Sequence, residues 1–341
     1  MTADAVGGVW TYARELIAGL GDDAQVVLAV MGPPPDDADL ERLPLAGYEH
    51  ADFALEWMPE PWGEVARAGE WLLDLADRYD PHVVHLNGYA HASLPFGVPV
   101  VVVGHSCVLS WHLAVRAAPA GPEWQRYEAA VAAGLARADA LVAPTAAMLD
   151  ELVRLYAPAC ETAVIPNGIA PGGLAPRDKR PYVLGVGRAW DEAKNLAALE
   201  RIAPDLPWPV LVAGDGASLG RVDPAALRTL YGHAAVFAEP ARYEPFGLAA
   251  LEAGLAGCAL VLGDIPSLRE VWEDAAVYVD PFDDGALSTA LRRLARDRAL
   301  CERHARAAYD RAGGYTRERM AGAYLDLYVG VTSTAAAEAA R

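Results

Sequence analysis

A chain of 341 residues is longer than one hydrophobic core usually serves, so about two domains of roughly 150 residues are expected. Its composition is 53% hydrophobic and 22% charged, with no apolar run near the twenty or so residues of a membrane span, which excludes a disordered chain and an integral membrane segment. A formal charge of -18 argues against a nucleic-acid partner, whose phosphates are gripped by lysine and arginine, and against broad docking on anionic lipid.

No charged segment followed by an apolar stretch opens the chain, so the expected location is the cytoplasm. Residues 1–5 form a first strand before Gly7 and Gly8, short for a position normally central in a sheet; a clipped strand or a late start would explain it. Strands are then predicted over 25–31, 81–86, 98–104 and 140–143, and helices over 9–20, 64–79, 123–137 and 145–156. Segments 32–45 and 112–122 read as loops that select the acceptor. A break rich in proline and glycine follows Val164-Ile165-Pro166-Asn167-Gly168, and alternation resumes with strands over 182–186, 210–213, 235–238, 259–262 and 276–279. A helical tail begins near 285. Strand runs alternating with helical periods predict an α/β protein with parallel sheets covered by helices. The expected domains are 1–170, 171–315 and a C-terminal helix, 316–341, returning toward the first domain.

Cys107, Cys160, Cys258 and Cys301 lack the paired spacing of a zinc site or disulfide framework and read as buried free thiols. His82, His85 and His91 do not suggest a metal site, because strand alternation would send His82 and His85 to opposite faces. No metal or cofactor is expected.

The most informative segment is Arg242-Tyr243-Glu244-Pro245-Phe246-Gly247-Leu248-Ala249-Ala250-Leu251-Glu252, which follows a predicted strand and opens a helix. Pro245 and Gly247 stand at the helix mouth, where proline's missing N–H costs nothing and glycine permits close approach. Unpaired amides of the first turn make such a mouth a site for phosphate or sugar oxygens. Glu244 stands at the entrance and Glu252 about two turns inside.

These two glutamates, within Glu-Pro-Phe-Gly-Leu, resemble the signature of the family 4 retaining glycosyltransferases, known as GT4. Other matches occur in the family's order: Gly7-Gly8-Val9-Trp10-Thr11-Tyr12, His85-Leu86-Asn87-Gly88, Val103-Gly104-His105-Ser106, Ile165-Pro166-Asn167-Gly168, and Gly187-Arg188 with Lys194-Asn195. The resemblance spans nearly the whole chain. It implies the GT-B fold, two Rossmann-like α/β/α domains facing each other across a cleft, and transfer of a sugar from a nucleoside-diphosphate sugar, UDP being favoured, without a metal.

The resemblance also implies roles. Arg188 and Lys194 hold the donor diphosphate, Glu252 accepts from the ribose hydroxyls, and Glu244 faces the transferred sugar. Amides around Phe246, Gly247 and Leu248 complete the donor cradle, and Gly7 and Gly8 let the first domain approach donor and acceptor. His105 touches a donor-sugar hydroxyl. Tyr12, Asn87, Tyr89 and Trp111 are read as acceptor contacts in loops or early turns. The acceptor itself, a sugar, a lipid-linked sugar or a small molecule, is left open. So are a nucleotide-sugar epimerase or hydrolase on the same scaffold and a non-catalytic nucleotide-sugar-binding protein. A dehydrogenase fits poorly, because neither Gly7-Gly8 nor Gly185-Val186-Gly187 completes a three-glycine turn.

Overall fold

The structure, a computed structural model, describes residues 1–5 and 7–339, with side chains to 337. Val6, in the stretch read as the turn after the first strand, and residues 340–341 of the expected C-terminal helix lie outside the described residues. The chain folds into two compact units. One comprises Met1–Leu113, Ala118–Ile169 and Thr316–Arg341; the other comprises Ala114–Ala117 and Ala170–Tyr315.

In the first unit, β1 (Thr2–Asp4), β2 (Val26–Met31) and β3 (Leu45–Ala51) pair in parallel, as do β4 (Val84–Leu86), β5 (Val100–Val103), β6 (Ala140–Ala143) and β7 (Glu161–Val164). β1 and β4 are joined by a side chain instead of a ladder: Asn87 N donates to Thr2 Oγ1 at 3.0 Å and Asn87 Nδ2 to Thr2 O at 2.7 Å. Chain order therefore reverses between β1 and β4, as in a doubly wound fold. The helix Gly8–Leu20 follows β1 and packs against the C-terminal helix Arg317–Ala339 through Leu16, Ile17, Met320, Ala321 and Tyr324. Arg317 Nε also donates to Glu15 Oε2 at 2.7 Å.

The second unit is a single parallel sheet in the order β12-β11-β10-β8-β9, built from β8 (Arg180–Val186), β9 (Val210–Ala213), β10 (Ala234–Glu239), β11 (Ala259–Gly263) and β12 (Val277–Val279). β10, Ala-Ala-Val-Phe-Ala-Glu, is buried at every residue because helices cover both faces of a parallel sheet. Its core gathers Leu196, Leu199, Val212, Val236, Val261 and Leu287. At the carboxyl ends of β8 and β9 the backbones nearly touch, since a Cβ on Gly214 would lie 1.9 Å from Gly187 O.

Four elements differ from the sequence expectation. The short helix Asp37–Leu40 lies inside segment 32–45, read as a loop. β3 falls where a loop ends at residue 45; it is an edge strand paired only to β2 and half-buried, so its run Leu-Ala-Gly-Tyr-Glu-His-Ala shows little apolar alternation. The helix Val108–Arg116 overlaps the segment read as a loop from residue 112, and β7 occupies the approach to the expected break. Of the four free thiols, Cys160 is half-buried and the others are buried.

Candidate active site

In the second unit the order of strands reverses between β8 and β10, and open parallel sheets bind ligands outside the carboxyl ends of strands at such a point. Two segments leave the sheet there. One runs from β8 through Gly187 and Arg188 to Lys194 and Asn195; the other runs from Glu239, the last residue of β10, to the helix Leu248–Leu255. Asn195, at a left-handed φ of 53°, ties them together by donating from Nδ2 to Pro240 O at 3.0 Å and to Pro281 O at 2.7 Å. Arg242 N adds a bond to Ala193 O at 2.8 Å.

Held this way, Lys194 Nζ donates to Glu239 Oε1 at 2.9 Å and bonds Glu244 Oε2. Burial by itself would lower the Lys194 pKa, but Glu239 and Glu244 outweigh it and keep the ammonium above its ordinary value. The Glu239 side chain is wholly out of water, and among the described residues its Oε2 has no hydrogen-bond partner. Burial pushes the Glu239 pKa up, Lys194 opposes that, and Glu244 adds to it.

Glu244 also reaches the helix mouth. Its Oε1 accepts from Gly247 N at 2.9 Å and from Phe246 N at 3.5 Å, so two of the amides expected to cradle the donor are occupied by the chain's own carboxylate. Gly247 stands at φ 93°, and a Cβ there would meet Leu268 Cδ2 at 3.1 Å, so the mouth requires glycine. Ser267 Oγ fixes the turn by donating to Glu244 O at 2.5 Å. Phe246 is buried against Tyr315, with ring centroids 5.5 Å apart, and Leu248 begins the helix. Glu252 is half-buried in the same helix. Burial first, and then the Glu252 carboxylate, push the Tyr231 hydroxyl far above its ordinary pKa, which places Glu252 beside that ring.

Arg188 does not join this cluster. Its guanidinium donates to Asp191 Oδ2 at 2.6 Å and lies 5.3 Å from the Trp190 ring centroid, with the side chain 44% exposed. The structure thus gathers Lys194, Glu244 and the helix mouth, and stows Arg188 alongside. Glu239 escaped the sequence reading; the available signal was an acid closing the wholly apolar run 234–238.

The first unit has its own cluster at the carboxyl edge. His105 Nε2 and His85 Nε2 approach Asn87 Oδ1 at 2.8 and 3.3 Å. Because the Asn87 amide nitrogen is spent on Thr2 O, its oxygen must accept, so both imidazoles carry their proton on Nε2. His85 Nδ1 then accepts from the Tyr328 hydroxyl at 2.7 Å. Burial holds both histidines neutral, each lowered to about 3. Gly7 caps the helix Gly8–Leu20 at φ 74°, and both glycines are exposed.

Two of the residues read as acceptor contacts are buried. Tyr12 is 1% exposed, packed edge-on to His105 with centroids 4.5 Å apart, and Tyr89 is 3% exposed and donates to Ser106 O at 2.7 Å. Both rings pack inside, drawn there by their apolar bodies. Trp111 lies half-buried in the first turn of the helix Val108–Arg116. The exposed aromatic at this edge is Trp57, 51% accessible, beside a pocket lined by Thr2, Asp4, Glu56, Asn87 and His91. Glu56 secures that loop by accepting from Tyr89 N and Ala90 N at 3.0 and 2.7 Å.

His82 precedes β4 and is exposed while His85 is buried, so strand alternation was not the reason they diverge. Among the described residues no group of three His, Cys, Asp or Glu side chains is placed to hold a metal ion, and no helix is long and apolar enough to cross a membrane.

Comparison with known proteins assigns residues 6–172 to Glycosyltransferase Family 4 and residues 217–311 to Glycosyl transferases group 1. The chain is 32% identical over 285 residues to a glycogen synthase of Mycobacterium tuberculosis, covering 72% of this chain and 68% of that protein. Its fold is similar to sucrose-phosphate synthase from Thermosynechococcus elongatus, with a TM-score of 0.81 and 21% identity over 98% of this chain and 96% of that one. It is also similar to Anabaena HepE in complex with UDP and glucose, with a TM-score of 0.75 and 15% identity over 96% and 98% of the two chains. The chain belongs to the family 4 glycosyltransferases, has the GT-B fold, and is a glycosyltransferase.

Proposed function

We propose that this glycosyltransferase moves a sugar, with retention, from a UDP-sugar to a hydroxyl acceptor, without a metal. Lys194 carries the reading: a cation fixed between two carboxylates, beside a helix amino terminus, at the reversal point of the second unit's sheet. The likeness to a fold solved with UDP and glucose supports UDP, and a glucosyl donor with it.

In this proposal Lys194 and Arg188 meet the diphosphate, Arg188 exchanging Asp191 for phosphate, which a guanidinium can grip bidentately. As the glycosidic bond breaks, charge grows on the departing diphosphate, and preplaced cations and helix-mouth amides stabilise it. Glu244 turns from those amides to the transferred sugar, and Glu252 takes the ribose hydroxyls. A double displacement would need a carboxylate nucleophile beneath the anomeric carbon. We favour a same-face route, in which the leaving diphosphate oxygen takes the acceptor's proton. As the resemblance implies, His105 bonds a hydroxyl of the transferred sugar, neutral and oriented by Asn87. We place the reaction in the cytoplasm, which cell fractionation tests.

Thermal-shift screening of nucleoside diphosphates and their sugars tests the donor. A ligand at 100 times its Kd adds about 2.7 kcal/mol to stability, so UDP or UDP-glucose should raise Tm by several degrees. Absence of a shift with every nucleoside diphosphate would sink the donor site. Turnover unchanged by EDTA, and an α-linked product from an α-linked donor, are the expected results for metal independence and retention.

A further inference from the structure

We infer that the donor binds together with one proton, taken up by the carboxylate pair Glu239 and Glu244, and that the buried Glu239 makes donor binding proton-linked. The inference rests on the reading that the diphosphate is held at Lys194. In the structure a single ammonium serves two carboxylates, and Arg188 is already neutralised by Asp191, so the cluster carries an excess negative charge before any donor arrives. A diphosphate sugar diester brings two more negative charges close to a carboxylate that is removed from water, where repulsion is little screened.

The two glutamates can respond differently. Glu244 is partly exposed, and its side chain is fastened to the helix mouth and to Lys194, so it can swing toward the transferred sugar. Glu239 cannot move away. It is the last residue of the central strand β10, in register with Leu262 of β11, and its side chain has no exposure. The groups that face it are Lys194 from the segment after β8, Glu244 from the segment after β10, and Tyr231 from the helix Pro224–His233, with Glu252 beyond the tyrosine. Lys194 is thus its only compensating charge among the described residues. When the ammonium is shared with a diphosphate, Glu239 Oε1 loses much of its partner while Oε2 has none. A buried carboxylate in that position is less costly neutral than ionised. The balance is chain plus donor dianion plus one proton from solvent giving the complex; no bond is made or broken. Burial already pushes the Glu239 pKa up without the donor, and added negative charge moves it in the same direction.

The test is isothermal titration calorimetry of UDP-glucose into the full chain at pH 8, in Pipes and in Tris, whose ionisation heats differ. UDP-glucose has no group on its diphosphate that titrates near neutrality, so any proton taken up belongs to the protein. About one proton per donor is expected, with the Kd weakening about tenfold per pH unit at alkaline pH. Glu239→Gln, which keeps the volume and removes the charge, should abolish the uptake, flatten the pH dependence and bind about tenfold tighter than wild type at pH 8. Equal binding enthalpies in the two buffers for wild type would overturn the inference and leave the donor reading intact, and this measurement needs no variant. Proton release instead of uptake, or unchanged uptake in Glu239→Gln, would overturn it equally. Failure of UDP-glucose, ADP-glucose and GDP-glucose to bind would overturn both.

Discussion

At the carboxyl edge of the first unit's sheet, Asn87 joins two neutral imidazoles to the backbone of β1, and its amide nitrogen and oxygen both find partners. At the same edge of the second unit's sheet, Lys194 balances two carboxylates, one of which keeps a buried oxygen without a hydrogen-bond partner among the described residues. Both clusters sit where strand order reverses, so position alone does not distinguish them. The difference lies in satisfaction. A neutral network with its hydrogen bonds made is a rigid support, whereas a charged cluster short of partners is poised to exchange them with a ligand.

The largest expected effect breaks the charged side of that comparison. Lys194→Met should lower kcat/KM by about 10²- to 10³-fold and cost about 3 kcal/mol of stability, because Glu239 is left as an unpaired buried charge. Combining it with Glu239→Leu should restore most of the stability and none of the activity, as read by chemical denaturation and initial rates. A single variant as stable as wild type would show that the carboxylate was not paying the cost of burial through Lys194. Next, Asn87→Leu should cost about 2 kcal/mol, since it strands the Thr2 carbonyl and both imidazoles, and should lower kcat by about tenfold through His105. Retained catalysis there would remove His105 from the site.

Acidification sharpens the same contrast. His85 and His105 are held at about 3, below the unfolded value of 6.5, so the unfolded chain binds more protons between those pH values. Their contribution is complete above pH 6.5 and is lost as pH falls, by about 1 kcal/mol per imidazole between pH 6.5 and 5.5. Melting curves across that range should show the loss, and Tm independent of pH would refute neutral burial. The smallest effect is Tyr12→Phe. Its hydroxyl meets His85 Nε2 only at 3.4 Å, so deletion should cost about 0.5 kcal/mol while the ring continues to fill the core.

Much of this architecture was legible because strand and helix periods are local. The runs at 140–143, 182–186 and 235–238 are apolar enough to mark buried strands, and β6 occupies the first of them residue for residue. β3 and the helix Val108–Arg116 escaped because an edge strand and a short half-buried helix carry a diluted pattern. The motif around Glu244 and Gly247 announced a helix mouth, but nothing local told whether its amides would be open or closed by Glu244 itself. Tyr12 and Tyr89 read as sugar-facing because an aromatic with a polar tip suits a binding site and a core equally.

From its order of residues alone, the chain determined a parallel α/β protein, the place of the helix mouth, and the charged side chains available near it, since each follows from spacing along a few turns or one strand. Only the tertiary structure decided which charges meet. Lys194 reaches Glu239 and Glu244 across 45 and 50 residues, and Asn87 reaches Thr2 across 85. Burial, which sets whether a carboxylate is paired, protonated or free to turn, comes from the strands packed around it and has no counterpart in local sequence.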